Sequence, residues 1–463
     1  MSRIPVWSLG LFLVSLLIAP ASALAQPDAC TVVVKEAPAD TSVIVVVNDA
    51  TRRDRAGAYG GSAATPNLDA FASEALLFER AVSQSPWSKP SIATLFTSLH
   101  PSVHGVASDP ELRRALGGTT SDTIAADILS DEFTTLAEAF QAAGFRTGAI
   151  VGNPWLRSEY GFAQGFEHFD DSFAAFDASG DQVTEAGLAW LSGLEEGERF
   201  FLYLHYLDSH RPYGPVALEQ ALAVEPDDRV LDESGQYFFL RYITQPDGTP
   251  LMHPTLAPNA AVLELAYDHG VEEFDAHFGK LMAGLRAQPA WSRTAVVFAS
   301  DHGEALYERG YGNHGGGLFD DELAVPLVAR LPGATPGRNA CDVGLVDVAP
   351  TLCGYAGVAC PPDGQGRNLL DPAEAGSRLV VSEGVMKHAK HRAVRDGRFK
   401  LIYEPEGRRG REASESVYSL YDLEKDPGEK RDLLDAPDAE AQAAFERLRK
   451  ALPEAAPTAG PGS

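Results

Sequence analysis

The chain alternates short apolar runs with longer amphipathic stretches. The runs are continuous and rich in β-branched or aromatic residues, as is typical of strands buried on both faces of a parallel sheet. They lie at Val43–Val47, 146–151, Phe200–Tyr206 and Thr294–Ala299. Helical patterns lie at 65–74, 134–143 (ending at Gly144) and 259–285. This alternation predicts an α/β domain with a large mixed, mainly parallel sheet between helices.

The pattern changes near residue 370. Short strand-like pieces then follow one another at 379–381, 392–394, 399–403 and 416–420, and a charged helical pattern covers 438–451. We therefore predict a catalytic-type α/β domain at 31–370, a smaller α+β domain with an antiparallel sheet at 371–452, and a disordered Pro-, Ala- and Gly-rich tail at 453–463. Stretches 106–132 and 213–258 are predicted loops that form walls of a site.

The first 25 residues predict a signal peptide. Arg3 gives a positive start, 6–18 is mostly apolar, and Ala23-Leu24-Ala25 is a small-x-small cleavage site. The apolar run is too short for a membrane anchor. A lipoprotein at Cys30 is the weaker alternative, because the preceding residues lack an aliphatic one. We expect a secreted or periplasmic protein without a membrane anchor after cleavage.

Composition and charge exclude one large class of function. The chain has 463 residues, 44% hydrophobic and 9% aromatic, with a formal net charge of −27. Nucleic-acid binding is not expected, because phosphate contacts need a basic surface. The four cysteines allow up to two disulfides in an oxidising compartment, and the short spacing favours Cys353–Cys360, with buried free thiols as the alternative.

Acidic residues follow two of the predicted strands. The first strand ends in Asn48-Asp49, and the strand at 294–299 is followed by Ser300-Asp301-His302. The carboxyl ends of strands are where open α/β sheets place their sites. A single Asp there is more often a helix cap, but two such acids, one of them next to a histidine, favour a metal site.

Between these strands lies Trp87-Ser88-Lys89-Pro90-Ser91, a turn that leads into a helix. Proline favours the first helical turn, so Ser88 lies at or near the start, where free N–H groups attract anions. Taken alone, Ser88 is a capping serine. With the two strand ends, it suggests metal-assisted hydrolysis of an oxyanion ester.

Together these fragments resemble the sulfatase family, in the alkaline-phosphatase-like superfamily, over nearly all of the chain after the signal. The resemblance rests on the order and spacing of many short motifs. They are Asn48 to Asp54, Tyr59-Gly60, Thr65 to Asp69, Ser88 to Ser91, His104-Gly105, Gly165-Phe166, His210 to Tyr213, Ser300 to Glu304, His314-Gly315, Val325 to Leu327 and Tyr421 to Glu429.

The resemblance implies roles for six residues. Asp49, Asp301 and His302 fall at metal-ligand positions, and Ser88 falls where the family keeps its nucleophile, often converted to formylglycine. His210 matches a histidine that protonates the leaving group, and His314 matches a Lys or His that faces the anion. The implied cofactor is one divalent metal ion, Ca²⁺ first, with Mn²⁺ or Zn²⁺ as alternatives.

This chain departs from the family at three places. Ala50 replaces the second acid of an Asp-Asp pair, and Ile92 replaces the Arg of the formylglycine signal. Gly152-Asn153-Pro154-Trp155 replaces a Gly-Lys-Trp-His element. Asn153 is then a candidate substrate donor, with Lys89 and Arg52 supplying compensating charge.

Three readings of the function remain open at this point. The first is a hydrolase of small-molecule or saccharide sulfate esters. The second is a phosphodiester or phosphonate monoester hydrolase that uses unmodified Ser88. The third is a binding protein with a degraded site. The natural substrate and the oligomeric state are not determined by the sequence.

Overall fold

The structure is a computed structural model of the chain. It describes Cys30, Val32, Val34, Gly376 and His388 and the ranges 37–106, 128–176, 178–225, 227–233, 235–236, 243–244, 259–374, 378–385, 390–405 and 417–452. The predicted signal, the predicted tail, most of loop 106–132 and most of the second half of loop 213–258 lie outside these residues. None of the helices in these described residues combines the length and the hydrophobicity that a membrane span requires.

Sixteen strands are named here in chain order. They are β1 Ser42–Asn48, β2 Leu76–Val82, β3 Arg146–Val151, β4 His168–Asp170, β5 Phe200–Tyr206, β6 Val216–Ala217, β7 Ile243–Thr244, β8 Thr294–Ala299, β9 Ala305–Leu306, β10 Gly312–Asn313, β11 Leu327–Arg330, β12 Gly337–Gly344, β13 Val380–Glu383, β14 Arg392–Arg395, β15 Phe399–Tyr403 and β16 Tyr418–Asp422.

The α-helices are also numbered in chain order. They are α1 Pro66–Ser73, α2 Ser88–Thr97, α3 Pro101–His104, α4 Leu136–Ala142, α5 Gly180–Ser192, α6 Leu218–Ala223, α7 Ala260–Arg286, α8 Asp320–Leu323, α9 Val348–Ala356 and α10 Ala439–Arg449.

The main sheet has eight strands in the order β12-β2-β11-β8-β1-β5-β3-β4. Strand β11 runs antiparallel to both of its neighbours, whereas the other pairings are parallel. The predicted large mixed, mainly parallel sheet is therefore confirmed. Two-stranded pairs β9–β10 and β6–β7 lie outside it.

Strand β1 shows why the central strands are continuously apolar. Its side chains alternate between two cores, with Val43, Val45 and Val47 on one face and Ile44 and Val46 on the other. The first core contains apolar residues of α2, α4 and α9, and the second contains those of α1, α5 and α7. Helices therefore cover both faces of the sheet, so every position of β1 is buried.

The C-terminal part forms a four-stranded antiparallel sheet in the order β13-β14-β15-β16. Leu401 and Leu420 pack against Leu448 of α10 on one face. Ile402 and Tyr421 belong to a core on the other face, which also contains residues next to and within α8. A small C-terminal β domain is thus present, and the exact boundary at residue 370 stays a prediction.

The expected Cys353–Cys360 disulfide is wrong. The structure joins Cys30 to Cys341, with Cα atoms 5.3 Å apart, and leaves Cys353 and Cys360 as free thiols. Cys30 lies beside β12, where Asn339 Nδ2 donates to the carbonyl of Cys30 at 3.1 Å. Spacing in the sequence misled the prediction, because the true partners are 311 positions apart.

Candidate active site

Four adjacent strands deliver polar residues to one edge of the sheet. In the order β8-β1-β5-β3, the carboxyl ends carry Asp301, Asp49, His205 and Asn153. The register aligns Val47 of β1 with both Ala299 and His205, so the residues that follow lie side by side. The four residues are therefore close together because their strands are parallel neighbours in the sheet, although they are far apart in the sequence.

A cluster of potential metal ligands lies at this edge. Single ligand atoms of Asp49, His205 and Asp301 lie within 4.8 Å of one another, and all three residues are fully buried. His302 joins them, since its Nε2 lies 3.6 Å from Asp49 Oδ1 and 3.6 Å from Asp301 Oδ2. Two carboxylates and two imidazoles therefore converge on one point.

Two carboxylate oxygens of this cluster are left without a hydrogen bond. Asp49 Oδ1 and Asp301 Oδ2 are buried, and neither has a partner among the residues that the structure describes. Each other carboxylate oxygen is satisfied, for example Asp301 Oδ1 by the N–H of Ala50 at 3.0 Å. Two buried, unpaired carboxylate oxygens facing imidazole nitrogens are costly without a cation. The residues present therefore fit a divalent metal ion.

The electrostatics of the pair agree with this. Burial raises the pKa of Asp301, and the negative charge of Asp49 raises it further. Burial opposes ionisation of Asp49 as well, but the hydrogen bond from His205 and the imidazoles of His210 and His302 hold its pKa below the usual range. Asp49 is thus an anion in the folded chain.

The orientation of His302 is fixed by its other nitrogen. Nδ1 lies 2.8 Å from the carbonyl oxygen of Gly303, and because a carbonyl only accepts, Nδ1 carries the proton. In the neutral ring Nε2 then presents its lone pair to the carboxylates. This is the usual arrangement of a metal-binding histidine and its orienting partner.

Ser88 is the first residue of α2, and its side chain points into the cluster. Its Oγ lies 3.0 Å from Asp49 Oδ2 and 3.1 Å from His302 Nε2, and the residue is 1% exposed. The neighbouring turn of α2 is tied to β8 by Ser91, whose hydroxyl donates to the carbonyl of Asp301 at 2.6 Å. A plain helix cap would bond its own helix, whereas Ser88 bonds two potential metal ligands.

His210 and His314 lie close to each other and to this centre. Their ring centroids are 5.3 Å apart, and the ring of His314 is 4.2 Å from that of His302. His314 Nδ1 lies 2.8 Å from Glu304 Oε2. Burial lowers the pKa of His314 to about 4, so its ring is neutral near pH 7.

Glu304 orients His314. Burial alone would raise the pKa of this carboxyl, but His314, Arg211 and His210 lower it to about 2. Its second oxygen accepts from the hydroxyl of Tyr213. The segment Asp301-His302-Gly303-Glu304 therefore supplies two potential metal ligands and, three residues after Asp301, a carboxylate that orients His314.

The three predicted substrate-binding residues differ in position. Asn153 lies in the centre, and its Nδ2 donates to Asp49 Oδ2 at 2.5 Å. The ammonium of Lys89 is buried and lies 3.8 Å from the ring centroid of Tyr160. Arg52 is paired with Asp54 and Glu308, so its charge is already compensated. Substrate binding by these three residues stays a prediction.

His205 was missed in the sequence. It occupies the last but one position of β5, within an aromatic and apolar run. Its Nε2 lies 3.2 Å from Asp49 Oδ2, and its Nδ1 lies 2.7 Å from the hydroxyl of Tyr203. A histidine inside a fully buried strand, one position from its end, is the signal that could have identified it.

The fold and this centre define an alkaline-phosphatase-like hydrolase. The family model described as Sulfatase matches residues 41–358, and that of the N-sulphoglucosamine sulphohydrolase C-terminal region matches 317–456. The chain belongs to the sulfatase family, whose members hydrolyse sulfuric esters.

Relatives and solved structures agree with this assignment. The Delta 4,5-hexuronate-2-O-sulfatase of Bacteroides thetaiotaomicron is 26% identical over 425 residues, covering 82% of this chain and 82% of the relative. A protein solved with its substrate D-glucosamine-2-N,6-O-disulfate superposes with a TM-score of 0.68 at 19% identity, covering 89% and 97% of the chains. The phosphonate monoester hydrolase of Agrobacterium radiobacter gives a TM-score of 0.65 at 20% identity, covering 89% and 95%. These two structures share the fold.

Proposed function

We propose that this chain is an exported, metal-dependent hydrolase of saccharide sulfate esters. The observation that carries the proposal is the position of the Ser88 hydroxyl, 3.0 Å from Asp49 Oδ2 and 3.1 Å from His302 Nε2. Attack on a tetrahedral oxyanion ester requires a nucleophilic hydroxyl that lies next to the metal ligands.

The metal would be held by Asp49, His205, Asp301 and His302. When bound, it supplies a positive charge that polarises a non-bridging oxygen of the ester and lowers the pKa of the nucleophile. The resemblance implied Ca²⁺ first. Two imidazoles beside two carboxylates suit Mn²⁺ or Zn²⁺ better than the oxygen-only sets that Ca²⁺ prefers, so we propose a transition metal.

His205 can take part in either of two tautomers. With the proton on Nε2, it donates to Asp49 and accepts from the hydroxyl of Tyr203. With the proton on Nδ1, it donates to the oxygen of Tyr203 and presents a lone pair to the cluster. Tyr203 satisfies Nδ1 in both cases, so ligation by His205 gives up only the hydrogen bond from Nε2 to Asp49.

The remaining residues of the site transfer protons or position the substrate. The hydroxyl of Ser88, or of the hydrate of its formylglycine form, gives its proton to Asp49 and attacks the sulfur, and the bond from the sulfur to the leaving alcohol oxygen breaks. His210 holds a proton for the leaving alcohol, and its Nδ1 lies 2.6 Å from the carbonyl of Arg211, which orients the ring. His314 is held by Glu304 through its Nδ1–H group, so Nε2 of the neutral ring presents a lone pair and can accept a proton, whereas Asn153 supplies an N–H group to the ester oxygens.

The preference for a saccharide rests on an aromatic rim beside His210. Phe176 is 48% exposed and stacks on the imidazole of His210, with ring centroids 5.8 Å apart and 20° between the planes. Trp155 packs edge-on against Phe176 at 6.0 Å. An exposed aromatic face next to the acid suits the apolar face of a sugar ring.

Export is supported by two features. One is the signal pattern of residues 1–25 with its cleavage site after Ala25. The other is the Cys30–Cys341 disulfide, since structural disulfides persist in oxidising compartments. Cys30 follows the proposed cleavage site, so the disulfide survives processing.

A second candidate is hydrolysis of phosphonate monoesters or phosphodiesters by unmodified Ser88. Two observations favour it, namely Ile92 at the position of the formylglycine-signal Arg and the imidazole-rich ligand cluster. The fold is shared with the phosphonate monoester hydrolase described above.

One experiment separates these candidates. Purified protein is assayed on a saccharide sulfate, an aryl sulfate, a phosphodiester and a phosphonate monoester with Ca²⁺, Mn²⁺ and Zn²⁺, and Asp301→Asn serves as the control. Sulfate turnover that disappears in Asp301→Asn supports the first proposal. Turnover of the phosphorus esters alone overturns it in favour of the second. Binding of a saccharide sulfate without turnover of any ester would identify a degraded site.

A further inference from the structure

A second cluster of metal-type ligands lies outside the proposed active site. Ligand atoms of Asp208, Glu273 and His277 lie within 4.8 Å of one another. Asp208 follows β5, and the other two residues belong to α7. None of the three belongs to the Asp49 centre.

The helix presents its two ligands on one face. Glu273 and His277 are four positions apart, the spacing at which side chains of an α-helix are neighbours. Helix α7 is held in place nearby, because both carboxylate oxygens of Asp275 accept backbone N–H groups at the start of α1. The Glu273–His277 pair is therefore presented by a fixed element.

Asp208 supplies the observation that points to a ligand. Its side chain is only 4% exposed. Oδ1 accepts from the N–H of Gly180 at 3.3 Å and lies 3.0 Å from His277 Nδ1. Oδ2 is buried and has no hydrogen-bond partner within the part of the chain that the structure describes. A buried carboxylate oxygen without a donor is a costly feature that a bound cation would remove.

Gly180 makes room for this cluster. A Cβ atom built at Gly180 would lie 2.5 Å from Asp208 Oδ2 and 2.2 Å from His277 Nδ1, so a side chain cannot be accommodated there without displacing both. Gly180, the first residue of α5, therefore contacts the two ligand side chains through its backbone alone.

The charges around the cluster favour a cation as well. Burial raises the pKa of Glu273, and the negative charge of Asp208 raises it further. Asp181 Oδ1 lies 3.7 Å from His277 Nε2 and is paired with Lys280 at 2.5 Å. A proton on His277 is the competing cation, because Asp208 and Asp181 outweigh burial and raise the pKa of that imidazole.

We propose that Asp208, Glu273 and His277 form a second divalent-cation site, separate from the active centre. One imidazole and two carboxylates are a donor set for Zn²⁺ or Mn²⁺ rather than Ca²⁺. Because Glu273 is exposed, water completes the coordination. The ion links α7 to the segment between β5 and His210, and it acts there as a structural brace.

The test is a count of bound ions. Metal-free full-length protein is titrated with Zn²⁺ and then with Mn²⁺ by equilibrium dialysis, with calorimetry for the affinities. We expect the Asp301→Asn variant, whose active-centre site is impaired, to retain one tightly bound ion. The double variant Asp301→Asn/Glu273→Gln should lose that ion, and the metal should no longer raise its Tm.

The control is Glu272→Gln in the same Asp301→Asn background. It makes the same change of charge one position away on α7, where Glu272 accepts from the N–H of Ala64 instead. This variant should keep the ion. The proposal is overturned if Asp301→Asn binds no ion. It is also overturned if Glu273→Gln and Glu272→Gln change ion binding and Tm equally. In either case the cluster is only a hydrogen-bonded network of His277 with its carboxylates. Neither outcome depends on the proposed reaction.

Discussion

The hydroxyl of Ser88 lies 3.0 Å from Asp49 Oδ2, although the two residues come from different elements and are 39 positions apart. Asp49 directly follows the central strand β1, and Ser88 begins α2. Both are buried, so the contact is protected from bulk water. In the proposed mechanism, this hydroxyl loses its proton to the anionic carboxylate and attacks an anionic ester at the N-terminus of the helix.

The first prediction concerns this hydroxyl. Ser88→Ala should lower kcat by about 1,000-fold or more, because the nucleophile is removed. Ser85→Ala is the matched control, because Ser85 is also a buried serine and lies three residues before Ser88; this variant should retain near-normal activity. Mass spectrometry of the peptide that contains Ser88 shows whether it has lost two hydrogens, as in formylglycine. Equal activity of the two variants would remove Ser88 from the mechanism.

The second prediction concerns His205 and the choice of metal. His205→Asn should weaken Zn²⁺ and Mn²⁺ binding by about 10- to 100-fold, because an imidazole ligand is lost. Ca²⁺ binding should change much less, since Ca²⁺ prefers oxygen ligands. The constants are measured by calorimetry on metal-free protein. His168→Asn, at an exposed position of β4, is the control. Equal losses for all three ions would indicate that His205 acts only through Asp49.

Much of this site was predictable because strand ends are visible in a sequence. The run Val43–Val47 and the run at 294–299 are continuous and apolar, which identified two neighbouring strands and the acids that follow them. Strand β5 has the predicted limits Phe200–Tyr206. In the C-terminal sheet, by contrast, the last strand extends to Asp422, two residues beyond the predicted end at residue 420, because its pattern is short and interrupted by polar residues.

The order of the strands across the sheet could not be predicted from the sequence. His205 reaches Asp49 because β5 pairs directly with β1, and a pairing between distant strands leaves no local pattern. The same reason explains the Cys30–Cys341 disulfide. The pairing of Arg52 with Asp54 and Glu308 was likewise invisible, since Glu308 comes from a distant loop.

The third prediction concerns the aromatic rim. Phe176→Ala should raise KM for a saccharide or aryl sulfate about two- to tenfold and leave kcat nearly unchanged, because stacking of one ring contributes roughly 0.5–1.5 kcal/mol. KM for a short alkyl sulfate should not change, since it has no ring to stack. Leu222→Ala, at another exposed apolar position, is the control. Equal effects on ring and alkyl substrates would show that Phe176 only supports His210.

The fourth prediction concerns stability in acid. His104 is 4% exposed, its Nδ1 accepts from the N–H of Val106 at 3.1 Å, and burial lowers the pKa of its ring to about 3. The unfolded chain binds a proton near pH 6.5, whereas the folded chain does so only near pH 3. The unfolded state therefore gains protons first, and the free energy of unfolding falls as the pH falls from 6.5 towards 3.

His104→Asn tests this directly, because Asn keeps an acceptor for Val106 but does not titrate. The variant should be less stable than the wild type at pH 7, where it has lost packing, and the difference should shrink steadily as the pH falls to 4. The contribution of the histidine to acid destabilisation has an upper limit of about 5 kcal/mol, from the pKa difference. Urea unfolding at pH 7, 6, 5 and 4 measures it. A constant difference between the two proteins across this range would mean that His104 does not control acid unfolding, and that other buried groups do.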